Sequence, residues 1–288
     1  MQIGVKDILK KHNINPSKSL GQNFLINGEI LRNIVNCAGL EKNDLVLEIG
    51  PGLGSLTAEL AQKAGWVVAV EIDKRLIAIL NENLSGYSNI SVINGDILKI
   101  DIKKELETVS SIQCGFKPSA LKVVANLPYY ITTPVVMTLL EKNIGAETMV
   151  FMVQKEVAER MKAPPGGKDY GALSVAVQYY SKPSIVMDVP PHCFIPQPDV
   201  YSSVVRLDIF KEPPVKVNDK ELFFNVVKAA FGQRRKTLVN ALANASYIDA
   251  DKEQIKKILL SIGIDENQRG ETLSVSQFAQ LSNLLANK

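Results

Sequence analysis

Short apolar runs alternate with segments of helical periodicity through the first half of the chain. The runs are Leu45–Ile49, Trp66–Glu71, Ile90–Ile93, Leu121–Ala125 and Thr148–Val153. They are apolar at successive positions, as strands covered on both faces of a parallel sheet must be. Helical spacing appears over Gly28–Ala38, after Ser55 and over Lys74–Leu84. Such alternation predicts right-handed βαβ units and a doubly wound, mostly parallel sheet. Residues 101–120 read as a surface connection. Lys155–Met161 and Gly171–Tyr180 read as helices around a proline- and glycine-rich loop, 163–169. Ser184–Val189 and Tyr201–Phe210 read as two closing strands, joined by PPHCFIPQPD. A helix is expected over residues 1–12, followed by a polar arm, 13–27, that carries Leu20, Phe24 and Leu25. KEPP at 211–214 is the best domain boundary. It divides an α/β domain, 1–210, from a small all-helical domain, 211–288, with helices expected over Asp219–Asn244, Asp251–Ser261 and Ser274–Asn287.

The first apolar run leads into EIGPGLG, with glycines at 50, 52 and 54. This is a strand, a tight turn and a helix start. Glycines let the backbone turn sharply and let a ligand approach the main chain. The G-x-G-x-x-G fingerprint of nicotinamide dinucleotide proteins is absent. The G-x-G-x-G spacing, with Glu48 two places before the first glycine, is commoner in S-adenosylmethionine (SAM) methyltransferases. A ligand-free turn is the bland alternative. The second run ends in Glu71-Ile72-Asp73, about 20 residues beyond the turn, where an acid is placed to accept from ribose hydroxyls. Glu71 takes that role. Asp73 is expected to cap the helix that follows, and Ile72 to lie flat against an adenine ring. The third run ends at Asn94-Gly95-Asp96, and Asp96 can accept from an adenine amino group.

The fourth run ends in Asn126-Leu127-Pro128-Tyr129. Ligands in such sheets bind at the carboxyl ends of the strands, so this tetrapeptide faces the same ligand. It suits methylation of an exocyclic amine. The Asn126 side-chain oxygen and a neighbouring carbonyl can accept both N–H bonds of an adenine N6, and Tyr129 offers a ring for the base to stack on. A sulfonium is a good leaving group, so positioning supplies most of the rate. Phe194, held among prolines, offers a second stacking face for a flipped base. Burial in the core is the alternative reading of the same residue. Arg234, Arg235 and Lys236 form a basic patch suited to phosphate contacts, expected within the long helix 219–244.

Composition adds little beyond a globular protein: 46% hydrophobic and 22% charged residues. No apolar run approaches the ~18 residues of a membrane span. Cys37, Cys114 and Cys193 are widely spaced and there are two histidines, so a disulfide framework and a metal site are not expected, and a reducing cytoplasm fits. Charge is more telling in its distribution. Of 33 basic and 30 acidic residues, 12 and 9 lie beyond residue 210, so the +3 excess sits there and residues 1–210 balance. The first twenty residues carry four Lys and one Asp. Positive excess at the two ends is compatible with a polyanionic partner.

Eight blocks carry a close family resemblance: LGQNFL (20–25), EIGPGLGSLT (48–57), EIDKRL (71–76), NGDIL (94–98), NLPYYITTPV (126–135), FIPQPDVYSSVVRL (194–207), FGQRRKTLVNAL (231–242) and RGETLSVSQFAQL (269–281). Over essentially the whole chain they resemble the ribosomal RNA adenine dimethyltransferases, and the last two resemble the bacterial small-subunit branch. The resemblance implies a Rossmann-like SAM domain with a mostly parallel seven-stranded sheet and a helical C-terminal domain. It implies dimethylation of N6 of two adjacent adenosines in a hairpin loop near the 3′ end of 16S rRNA, in the small ribosomal subunit or its precursor, and a link to ribosome biogenesis. Carried over by position, cofactor contacts fall on Asn23, Leu25, Gly50, Glu71, Asp96 and Asn126, beside Gly52 and Ile72. Target-base roles fall on Asn126, Leu127, Pro128, Tyr129 and Phe194, and the arm becomes a lid over SAM. A monomer is expected.

Two other readings keep the fold. One is an Erm-type methyltransferase acting on 23S rRNA, against which the C-terminal blocks argue. The other is a ribosome-assembly or nucleic-acid-binding factor without catalysis, against which the intact EIGPGLG and NLPY argue. A nicotinamide oxidoreductase fails on glycine spacing.

Overall fold

The computed structural model describes residues 5–112, 116–233 and 235–286. The first four residues, Cys114, Arg234 and Asn287 therefore lie outside the described residues. The elements in chain order are α1 (Val5–Lys11), β1 (Phe24–Leu25), α2 (Gly28–Ala38), β2 (Leu45–Ile49), α3 (Ser55–Ala61), β3 (Trp66–Glu71), α4 (Lys74–Asn83), β4 (Ile90–Asn94), α5 (Ile102–Ile112), β5 (Leu121–Asn126), α6 (Thr132–Lys142), β6 (Ala146–Gln154), α7 (Lys155–Lys162), α8 (Ala172–Tyr180), β7 (Ser181–Val189), β8 (Phe194–Ile195), β9 (Ser202–Ile209), α9 (Lys220–Gly232), α10 (Leu238–Ala243), α11 (Lys252–Ser261) and α12 (Val275–Ala286).

The main sheet has seven strands in the order β4-β3-β2-β5-β6-β9-β7. β2 lies parallel to β3 on one side and to β5 on the other. β4 extends the sheet beyond β3, and β6 extends it beyond β5, also in parallel. β9 closes against β6 antiparallel. The chain thus runs outward from β2 to β4 and then returns to β5 on the far side of β2. That reversal opens a crevice at the carboxyl ends of β2 and β5, where doubly wound sheets bind ligands.

β2 is buried at all five positions, because helices cover both faces of a central parallel strand. α2 buries Leu31, Ile34, Val35 and Ala38, spaced as one helical stripe. Each side chain of Leu or Ile size buried there contributes ~1.5–3 kcal/mol. Its ends are specified locally. The Asn27 side chain accepts from the Glu29 and Ile30 N–H groups, and Gly39 leaves the helix at φ +60.

The described chain forms two compact units, residues 1–158 with 184–209 and residues 159–183 with 210–288. This differs from the division expected at 210/211, because residues 159–183 group with the C-terminal helices. Ala163, Tyr170, Val175 and Tyr179 share a core with Phe223, Leu238 and Phe278, and the Tyr170 hydroxyl donates to the Leu273 carbonyl at 2.9 Å. Periodicity identifies an apolar helix but not the core it enters. Two further expectations are corrected. The stretch read as a surface connection contains α5, which buries Ile102, Leu106 and Val109 at helical spacing. The long helix expected over 219–244 is two helices, since the backbone leaves helical geometry at Gln233 (φ −134, ψ 65). The Leu238 N–H then pairs with the Gln268 carbonyl at 2.7 Å.

Candidate active site

The turn after β2 needs its glycines. Gly50, Gly52 and Gly54 have φ of +68, +61 and +87, in the region that side chains disfavour. A Cβ on Gly52 would stand 3.0 Å from the Phe24 ring, whereas one on Gly50 would meet nothing within 4 Å. The turn is held from β3. The Glu71 carboxylate accepts from the Gly52 N–H at 3.1 Å and from the Asp73 N–H at 2.8 Å. Burial raises the Glu71 pKa, the two N–H bonds lower it, and the charge of Asp73 raises it. The two carboxylate oxygens together offer about four acceptor sites, so capacity remains beyond these backbone bonds. Asp73 caps α4 as expected, and also binds Arg75 and the Gln22 amide.

The turn opens on a cleft at the carboxyl ends of the central strands. Asn23, Leu25, Gly50, Gly52, Glu71, Ile72, Asp96, Asn126, Leu127, Pro128 and Tyr129 all line it. Ile72 is 47% exposed, a free apolar face at the end of β3. Asp96 gives one oxygen to the Leu98 N–H at 3.0 Å and holds Lys99 near the other at 3.5 Å. The arm is pinned across this cleft in three places. Phe24 and Leu25 pair antiparallel with Ile195 and Phe194. Gln22 donates to Asp73 at 2.9 Å. Asn126 donates its amide to the Asn23 carbonyl at 3.1 Å. That bond fixes the Asn126 side chain, since its NH₂ faces the arm and its Oδ1 is an acceptor on the other side.

The loop after β5 is equally constrained. The Leu127 N–H donates to Met152 on β6 at 3.1 Å. The Pro128 carbonyl accepts from the Ile131 N–H at 3.2 Å and from the Thr132 hydroxyl at 3.1 Å. The Tyr129 hydroxyl lies 2.7 Å from Ser202 Oγ. Burial raises the Tyr129 phenol pKa and the Ser202 hydrogen bond opposes it, so the phenol stays neutral near pH 7.

Phe194 is 2% exposed and packs with Leu25, Leu31 and Val204; it does not itself line the cleft, but Leu25 and Leu31, which it packs against, do. Its strand, β8, pairs antiparallel with β1 of the arm, Phe194 opposite Leu25. Arg235 and Lys236 are exposed in the connection between α9 and α10 rather than within a helix, and they belong to the C-terminal unit. Arg234 is outside the described residues.

Two further cleft residues are Tyr130, which the sequence did not single out, and Glu48, which it marked only as part of the glycine-turn motif. Tyr130 is 54% exposed, lines the cleft, and has its ring against Gly21, where a Cβ would stand at 3.1 Å. Its signal was adjacency to Tyr129. Glu48 is 1% exposed, and its Oε2 has no hydrogen-bond partner among the described residues. Burial pushes its carboxyl up to about 8, the Thr57 hydroxyl opposes this, and the charge of Glu71 adds to it.

This donor set fits an adenosyl group. A turn without side chains admits the ligand, Glu71 is left with acceptor capacity for hydroxyls, Ile72 offers an apolar face, and Asp96 stands at the next strand end. Among the described residues there is no cluster of metal ligands and no helix long and apolar enough to cross a membrane.

Comparison with known proteins agrees with this geometry. The family model for ribosomal RNA adenine dimethylase matches residues 12–287. A ribosomal RNA small subunit methyltransferase A from Alkaliphilus oremlandii is 51% identical over 98% of this chain and 96% of its own length. One from a Geobacillus species is 51% identical over 97% and 95%. The solved dimethyladenosine transferase of Plasmodium falciparum superposes with a TM-score of 0.74 at 26% identity, covering 90% of this chain and 95% of that one. The 23S rRNA methyltransferase ErmE gives 0.67 at 28% identity, covering 92% and 100%. The chain belongs to the ribosomal RNA adenine dimethylase family and is a methyltransferase whose cofactor is S-adenosylmethionine.

Proposed function

We propose that this protein dimethylates N6 of two adjacent adenosines in the hairpin loop near the 3′ end of 16S rRNA. The substrate is the small ribosomal subunit or its precursor, and the modification belongs to subunit biogenesis. Relatives named for the small subunit are about half identical over nearly the full chain, against 28% for the 23S rRNA enzyme. The protein acts as a cytoplasmic monomer. The C-terminal unit takes the RNA-binding role, with Arg235 and Lys236, beside Arg234 in sequence, on backbone phosphates.

The observation that carries the reading is the orientation of Asn126. Its NH₂ is committed to Asn23, so its oxygen is free to accept one N6–H of adenine. The Pro128 carbonyl is already occupied twice, which leaves the Leu127 carbonyl as the neighbouring acceptor for the other. Together they hold the amine and direct its lone pair into the cleft. Tyr129 supplies the stacking face. S-adenosylmethionine supplies an electrophilic methyl group on its sulfonium. Glu71 and Asp96 hold the ribose and adenine of the cofactor, and Ile72 packs on its base. No side chain is needed to remove a proton before transfer, so rate comes from holding two reactants in line.

Labelled S-adenosylmethionine offered to small subunits lacking the modification tests this. N6,N6-dimethyladenosine should appear in small-subunit rRNA on nucleoside analysis. Label confined to large-subunit rRNA, when that is offered instead, would refute it.

A further inference from the structure

We propose that Ser202 is a positioning residue for the target base, acting through Tyr129. The inference rests on the reading of Tyr129 as the stacking face. Ser202 opens β9 and is 0% exposed. It does not line the cleft, yet its hydroxyl lies 2.7 Å from the Tyr129 hydroxyl. The backbone on either side of that ring is held by hydrogen bonds. The backbone before it is tied to β6 through Leu127. The backbone after it is tied through the Pro128 carbonyl to Ile131 and Thr132. What these bonds leave open is rotation of the Tyr129 side chain, and the tether to Ser202 closes that freedom.

The anchor is itself rigid. Ser202 is in register with Gln154 on β6. The adjacent Ser203 hydroxyl donates to Asp188 at 2.7 Å, and Asp188 is paired with Lys155 at 2.6 Å. The hydroxyl on β9 therefore fixes the height of the ring relative to the Asn126 oxygen. Methyl transfer needs the amine in line with the donor, and misplacement of ~1 Å costs on the order of a hundredfold. The second transfer is the more demanding, because the amine then carries a methyl group and one N–H fewer to hold it. A loosened ring should slow that step most.

The test is a double-mutant cycle of Ser202→Ala and Tyr129→Phe, read by single-turnover formation of N6-methyladenosine and N6,N6-dimethyladenosine on unmodified small subunits. Each single variant is expected to slow transfer roughly tenfold, with monomethyladenosine accumulating. The double variant should be no slower than the worse single one, because both remove one interaction. S-adenosylmethionine affinity, measured by calorimetry, should stay within about twofold of the parent. Ser202→Cys leaves no cavity in the buried site and weakens the tether, and should give the same accumulation if the alanine variant folds poorly. Losses that multiply in the double variant, or a Ser202→Ala protein with parental rates and product ratio, overturn the inference while the function stands. A parent that forms no methyladenosine overturns the function first, and this inference with it.

Discussion

Replacing Glu48 by Gln should change how stability depends on pH. Glu48 is buried at the end of β2, and its Oε2 has no partner among the described residues. Burial, the largest cause, pushes its carboxyl from 4.5 up to about 8. In the unfolded chain it titrates near the ordinary value. Below about 4.5 both states hold the proton and the site carries no penalty. Between there and about 8 the folded protein keeps the proton that the unfolded chain has released, so folding takes one up. Stability then falls as pH rises, by ~1.4 kcal/mol per unit. From pH 5 to pH 7 that amounts to about 2.7 kcal/mol. Gln has the same shape and no proton, so the variant lacks this slope. Urea unfolding of both proteins at pH 5, 6, 7 and 8 measures it, and every titrating group not coupled to Glu48 cancels in the difference. The advantage of Glu48→Gln over the parent should grow by about 2.7 kcal/mol between pH 5 and 7 and level off above pH 8. A difference independent of pH would show that Glu48 is ionised in the native protein throughout, and would refute the reasoning.

Three further outcomes are expected. Gly52→Ala places a methyl 3.0 Å from Phe24 at φ +61, so stability should drop by ~1–3 kcal/mol and calorimetry should show weaker S-adenosylmethionine binding. Asn126→Asp replaces the amide that donates to Asn23 with a second acceptor. Transfer should slow on the order of a hundredfold, and the dimethyl product should suffer more than the monomethyl one; unchanged dimethyladenosine would argue against a role for the neutral amide. Arg235→Ala and Lys236→Ala should each weaken RNA binding at every salt concentration and reduce the slope of log affinity against log salt by about one, while transfer at saturating RNA persists.

The sheet was legible because its signal is local. Leu45–Ile49 and Trp66–Glu71 are buried strands that needed no tertiary information to find, and the acids and glycines at their ends mark a ligand edge. What could not be read depended on contacts distant in sequence. Phe194 has the flanking prolines of a presented ring, but the Leu25 and Leu31 side chains that it packs with lie far back in the chain. α5 was hidden because its charged residues outnumber the three it buries. The second helix of residues 220–243 depends on a bond from Leu238 to Gln268. The unit that receives residues 159–183 depends on Tyr170 reaching Leu273. The tether from Tyr129 to Ser202 spans the same kind of distance, and no pattern in NLPY announces it.

The site divides its chemistry along the cleft. Ionisable groups gather at the glycine turn, where Glu48, Glu71 and Asp96 stand at the ends of successive strands. Around the Asn126 oxygen the proposed arrangement uses neutral groups alone. An amide accepts there, a carbonyl accepts beside it, and burial keeps the Tyr129 phenol protonated. The reaction asks for that asymmetry. The amine must keep its lone pair for the methyl group, so a hydrogen-bond donor aimed at that pair would compete with transfer. The proton is lost only as the methyl arrives, so a strong base would add little. With neither present, the rate depends on the angle and height at which the amine is held. In the proposed arrangement the bonds from Asn126 to Asn23 and from Tyr129 to Ser202 set those two quantities, and each ties a side chain proposed to hold the base to an element remote in sequence.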